Sequence, residues 1–420
     1  MSLFRPRILA TSCLLAQVLL LAVPTAVRAA PATPAADTWQ QLATPPSIGT
    51  APIFALAVDP ASAQTLLVGT ASGDIYRSQD GGGAWERVAS HLGQGVLSLA
   101  FVSGTGHAAL AGTRGGGIWR SADEGATWQQ DAGTAGRTVR SLDATTTPLA
   151  AGTETGVLTS TDGISWHPAG LAGVDVAALA VLPGTTAGLV AGGDSEPINT
   201  ALPLYTEHGS TAWHRVSALL QGSSTVDALS PVSASRGAEV MMGTDAGAFS
   251  SRDGGASWAP ISGYGSLPAT DISVIAPVEG TSGLYYVASD GGGSSQGGLW
   301  VTRNDGAHFR SLDPPQHAVT ALAVAAGAQP VIYAAGFVAT DHAVRLWSFT
   351  DAGGAPHVAA PKTAPKGGHR SLAASAGSRG ADWLTALATG PEAPFVAAFA
   401  LAALLLIAAS VAYVRGARRL

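Results

Sequence analysis

Two sets of carboxylates in this chain have spacings that invite a chemical reading. One set recurs in an S-x-D-x-G-x-[ST]-W pattern. Ser121, Asp123, Gly125 and Trp128 match it in full, as do Ser251, Asp253, Gly255 and Trp258. Ser78, Asp80, Gly82 and Trp85 lose only the hydroxyl before the Trp, and Asp162 and Trp166 belong to a copy one residue short. The second set is Asp175, Asp227 and Asp271, each at the head of a short apolar stretch, with Arg140 and His317 at equivalent places. Two carboxylates flanking a sugar make a glycosidase, whereas a ring of them around one opening favours a cationic or hydroxyl-rich partner. The choice depends on the elements that position them.

Those elements repeat. Weaker boxes at Thr206–Trp213 and Thr302–Phe309 put His208 and Asn304 where Asp belongs, and the boxes follow one another about 40–50 residues apart, the length of a four-stranded propeller blade. Ahead of each box runs an apolar stretch ending in a Gly-Thr step (Gly69-Thr70, Gly112-Thr113, Gly152-Thr153, Gly243-Thr244), and ahead of that an inner strand. Short strands punctuated by Gly are the sign of all-β radial repetition. Units beginning near residues 52, 95, 138, 174, 225, 271 and 318 give an all-β, seven-bladed β-propeller over residues 30–355. The last unit has only a degenerate box around Asp351. Thr38-Trp39-Gln40-Gln41 copies Thr127-Trp128-Gln129-Gln130, so an N-terminal outer strand is expected to complete the last blade and close the ring.

In this frame each box lies on the hairpin between the two outer strands. Its Asp and Ser accept turn N–H groups, its Gly supplies a positive φ, and its Trp fills the seam between blades with the indole N–H reaching a partner. Every boxed residue then has a folding role. Arg140, Asp175, Asp227, Asp271 and His317 ring the opposite mouth as candidate ligand-binding residues, or else cap strand ends. Loops between the middle strands share that face and are longest at residues 194–203, 289–298 and 336–343.

The ends carry different signals. Residues 1–29 have Arg5 and Arg7, an apolar run and a small-residue site before Ala30, the pattern of a secretory signal peptide. Cys13, the only cysteine, lies inside it, so no disulfide is expected after cleavage. Residues 356–392, rich in Ala, Pro, Gly and Ser and holding both lysines, Lys362 and Lys366, read as a flexible stalk. Residues 393–414 contain 20 uncharged, mostly apolar residues, enough for one membrane-spanning helix. The basic tail 415–420 then places the C-terminus in the cytoplasm and the propeller outside the plasma membrane, in the periplasm or at the cell surface. With 12% charged residues, a net charge of −6 and no lysine before the stalk, the chain lacks the basic stripe of a nucleic-acid binder.

The units resemble BNR or Asp-box repeats, which occur in sialidases, xyloglucan-active endoglucanases, the sortilin ectodomain and photosystem II stability and assembly factors. The resemblance covers about residues 38–355, and in unit length and blade count it is nearest to the photosystem factors. It implies the propeller fold and little common chemistry. The sialidase members carry three arginines, a Tyr–Glu pair and an Asp acid/base. Here Arg77, Arg120, Arg252 and Arg303 lie beside boxes instead, and no F-R-I-P-like segment follows the leader. The expectation is therefore a non-catalytic bacterial propeller, anchored by its C-terminal helix, that binds or scaffolds a protein or glycan and uses no cofactor or metal. A sialidase-like glycoside hydrolase is the alternative.

Overall fold

The computed structural model describes residues 36–353, except 105, 183–187, 194–203, 207–211, 217–222, 224, 235–236, 262–266, 268–270, 292–296 and 339–341. The leader, stalk, span and basic tail lie outside the described residues, as do the loop 194–203 and most of the box at His208. No helix among the described residues is long and apolar enough to cross a membrane.

Seven four-stranded antiparallel sheets follow one another along the chain. Their inner strands are Ile53–Asp59, Val96–Phe101, Val139–Asp143, Ala178–Leu182, Val226–Ala234, Val274–Pro277 and Val319–Ala325, numbered here as sheets 1 to 7. Each inner strand packs against the next, and the last packs against the first, so the sheets form a closed ring. The chain folds as a β-propeller.

Closure comes from the N-terminus. Trp39–Gln41 pairs with Ala343–Thr350 as the outer strand of sheet 7, in the register Trp39↔Phe349, Gln40↔Ser348 and Gln41↔Trp347. The Trp39 indole N–H donates to Leu312 O of sheet 6 at 2.7 Å, and its ring lies 5.0 Å from that of Phe349. The degenerate box beside it is a clasp. Buried Asp351 accepts the Tyr286 hydroxyl at 2.7 Å and pairs with Arg303 at 2.5 Å. Burial alone would raise its pKa, but these donors and the Gly353 N–H hold it below the usual carboxylate range.

The core lies between sheets. Leu66, Val68 and Tyr76 of sheet 1 pack on Ala335 and Leu346 of sheet 7, and comparable clusters fill the other seams. The Gly-Thr step is a packing device at these seams. A methyl on Gly112 would stand 2.8 Å from Val139 Cγ1, and one on Gly152 would stand 2.8 Å from Val176 Cγ1. Only a bare backbone admits the first residue of the neighbouring unit. The Thr that follows closes the next hairpin: Thr113 Oγ1 donates to Gly117 O and Thr153 Oγ1 to Gly156 O, both at 2.8 Å.

The boxes fold as hydrogen-bonded hairpins. In sheet 2, Ser121 Oγ donates to Asp123 Oδ1 at 2.8 Å and accepts Gly125 N–H at 2.8 Å, while Asp123 accepts the Thr127 N–H and hydroxyl. Ser78/Asp80, Ser160/Asp162 and Ser251/Asp253 repeat the arrangement. These bonds, led by Thr127, lower Asp123 to a pKa of about 2, and the Ser165 and Ile164 amides do the same for Asp162. The boxed indoles of Trp128 and Trp258 donate within their own hairpins, and Trp85 reaches Ala43 O. Trp166 departs from expectation, because its buried Nε1 has no hydrogen-bond partner. Asp123→Ala is expected to cost about 1–2 kcal/mol of stability near neutral pH. Because the folded pKa is depressed, that contribution exists above the ordinary carboxylate range and vanishes as pH falls toward 2. Urea unfolding at pH 7 and pH 2.5 checks both halves.

Candidate functional site

Antiparallel pairing sorts the loops onto two faces. Hairpins joining the first and second strands share the box face, while the links between second and third strands and between sheets share the opposite rim. All five candidate residues head inner strands, which places them at that rim.

They do not form a uniform ring. Arg140 Nε and Nη2 donate to Asp175 Oδ1 and Oδ2 at 2.6 and 2.7 Å, a bidentate pair across the seam between sheets 3 and 4. This quarter of the mouth is neutralised. His317 is exposed at the head of sheet 7. Sheets 5 and 6 are different, because Asp271 faces both Asp227 and Asp290. Burial, followed by hydrogen bonding to Asp290 and the charges of Asp227 and Asp290, pushes Asp271 up to about 7. Its Oδ1 is buried without a hydrogen-bond partner, while Thr225 Oγ1 steadies Asp227 at 2.9 Å. Three carboxylates close enough to share protons will accept a cation readily.

Asp290 was not among the sequence candidates, since it follows a second strand rather than heading an inner one. The expected loop 336–343 is also revised. Gly336, Phe337 and Val338 pair with Arg345, Val344 and Ala343 as strand, and the core of the 289–298 loop lies outside the described residues. Three of the box-flanking arginines are held in ion pairs: Arg77 with Glu124 of the next unit, Arg252 with Glu239 of its own sheet and Arg303 with Asp351 of the next unit.

A second cluster lies on the box face. Asp59 ends the inner strand of sheet 1, His107 lies on the first hairpin of sheet 2, and Glu124 lies in the box of sheet 2. His107 Nδ1 is 3.0 Å from Asp59 Oδ2 and 3.3 Å from Glu124 Oε1. The hydrogen bond to Asp59, with the charge of Glu124, raises the His107 pKa above its ordinary value. Asp59 and His107 line a cleft of about 390 Å³ together with Phe101 and Glu279. A signal for this cluster exists in the sequence: Glu124 stands where the neighbouring full-length boxes have Gly81 and Gly254.

No family model matches the sequence, and no curated protein does. Solved structures are similar in fold. RRP9 WD40 repeats superpose with a TM-score of 0.57 at 16% identity, covering 76% of this chain and 98% of that one. YCF48 bound to D1 peptide gives 0.51 at 16% identity, covering 75% and 97%. YCF48 from Cyanidioschyzon merolae gives 0.50 at 13%, covering 74% and 98%. At these identities the likeness is one of fold.

Proposed function

We propose that this chain is a non-catalytic, extracytoplasmic Asp-box propeller, anchored by its C-terminal segment, that holds a protein partner through a cationic stretch at the rim opposite the boxes. The observation that carries the reading is the group Asp227, Asp271 and Asp290. It concentrates carboxylates at one part of the mouth, where burial and then Asp290 and Asp227 favour the protonated form of Asp271, and a lysine or arginine placed there stabilises the charged form. The boxed carboxylates offer no such surface, because their own turns consume them. The fold shared with YCF48, solved bound to D1 peptide, is compatible with a peptide-holding propeller.

A specific observation favours one second reading. A carboxyl raised to about 7 beside other carboxylates has the character of a general acid, as in a glycosidase. One set of variants separates the two readings. Asp227, Asp271 and Asp290 are changed together to Asn, leaving the Arg140–Asp175 pair intact, and capture of a labelled lysine/arginine-rich peptide and of a native partner is measured. Capture is expected to fall at least ~10-fold, the order seen when buried or partly buried interface charges are removed, while Asp123→Ala leaves it unchanged. Unchanged capture by the triple variant refutes the rim as the binding surface. Hydrolysis of a glycoside lost in Asp271→Asn alone supports the enzyme instead.

A further inference from the structure

We propose that Asp59, His107 and Glu124 form a binding site for a divalent transition-metal ion of the Zn²⁺ class, set between sheets 1 and 2 on the box face and open toward the cleft. It is independent of the rim, and sequence spacing conceals it because its three residues come from three separate turns.

Donor geometry is the first argument. One donor atom from each of Asp59, His107 and Glu124 lies within 4.8 Å of the others. The two separations from Nδ1 are 3.0 and 3.3 Å. A tetrahedral ion with ligand bonds near 2.0 Å requires donors roughly 3.3 Å apart. The ion would replace the Nδ1 proton.

Both carboxylates are also held by their remaining oxygens. The Asp59 side chain is 2% exposed, and its Oδ1 accepts the Ala61 N–H at 2.8 Å. Glu124 Oε2 accepts from Arg77 Nη2 at 2.9 Å, and Glu124 N–H donates to His107 O at 3.0 Å. The free oxygens Oδ2 and Oε1 are thereby turned toward the imidazole. Such outer contacts orient the ligands of working metal sites.

The backbone adds an independent argument. Glu124 has φ +59 at the box position where Gly81 and Gly254 have φ +69 and +72 and Asp305 has φ +56, and His107 has φ +144. Two of the three ligands thus occupy conformations that favour glycine, and side chains are retained there against a conformational cost. An imidazole with two carboxylates suits Zn²⁺ and its neighbours better than Ca²⁺ or Mg²⁺, which prefer all-oxygen sets. Three protein ligands leave a coordination position toward the cleft, where Phe101 and Glu279 form other parts of the wall. An ion there would staple sheet 1 to sheet 2 and offer that position to a carboxylate or imidazole of a bound molecule.

The test uses the full chain, stripped with chelator and titrated with Zn²⁺ by calorimetry, with Co²⁺ absorption reporting coordination and Ca²⁺ as control. Wild type should bind Zn²⁺ and unfold at a higher temperature with it, and Ca²⁺ should do neither. His107→Ala and Glu124→Gly should each weaken the tight Zn²⁺ site by at least ~10-fold. Glu124→Gly restores the residue that the box favours, so it should fold at least as well without metal, separating loss of the site from loss of the fold. If wild type binds no Zn²⁺, or either folded variant keeps its affinity, the proposal is overturned, and the cluster is a histidine held between two carboxylates by a proton alone.

Discussion

Trp39→Ala is expected to lower unfolding free energy by about 3 kcal/mol, the low end for removing a packed Trp. The side chain is only half-buried, but three interactions depend on it. It packs against Phe349, its N–H satisfies Leu312 O in the adjacent sheet, and it anchors the strand that covers the edge of Ala343–Thr350. Without that strand, sheet 7 has three strands and an open edge, and the ring is joined less firmly where its two chain ends meet. Gln41→Ala is the control: it lies on the same strand, exposed, and should change stability by less than about 0.5 kcal/mol. Urea unfolding of both variants checks the contrast. A Trp39→Ala protein as stable as the Gln41→Ala protein would mean that the ring does not depend on its N-terminal strand.

That strand was legible because a repeat protein writes the same instruction several times. Thr38-Trp39-Gln40-Gln41 duplicates an outer strand that follows a box, so its place in an incomplete last unit could be inferred without homologues. The boxes were legible for a related reason, since a short Asp or Ser side chain bonds its own turn and the information is local. The Gly-Thr step was visible as a pattern, but its cause was not. It is a contact between Gly112 and Val139, or Gly152 and Val176, across a seam that only the assembled ring creates.

The candidate site was less legible, because its chemistry depends on which side chains meet across seams. Arg140 follows Val139 and Asp175 precedes Val176, the residues that meet the seam glycines Gly112 and Gly152, so the pair joins positions offset by two within successive repeats. Repeat position alone makes them separate members of a ring and does not reveal their pairing. Asp290 joins Asp227 and Asp271 from a different kind of loop, which repeat position does not reveal. The Gly336–Val338 segment, expected as part of a lengthened loop, pairs instead as the end of a long strand. Glu124 shows where a repeat gives most: a side chain at a box position that holds Gly81 and Gly254 in two other boxes, and Asp305 in a third, marks an interaction worth seeking.

Asp271→Asn is expected to stabilise the protein at alkaline pH and to leave it nearly unchanged in acid. The folded pKa of about 7 exceeds the ordinary 3.8, because burial and the neighbouring Asp290 and Asp227 disfavour the charged form. A carboxyl with a raised folded pKa contributes fully below its unfolded value, and that contribution is lost as pH rises through about 7. Wild type should therefore weaken between pH 4 and pH 8 relative to the Asn variant, which has no proton to lose there. Each pKa unit corresponds to about 1.4 kcal/mol, but the site is only half-buried, so screening reduces the expected gain at pH 8 to about 1–2 kcal/mol. The same titration should govern binding. Above pH 7 the rim carries an additional negative charge, so capture of a lysine/arginine-rich peptide should strengthen from pH 6 to pH 8 in wild type and stay flat in Asp271→Asn. Thermal unfolding across pH 4–8, with capture assayed on the same samples, tests both consequences. A stability difference independent of pH would show that Asp271 does not titrate in this window, and would remove the electrostatic basis for placing a cation at the rim.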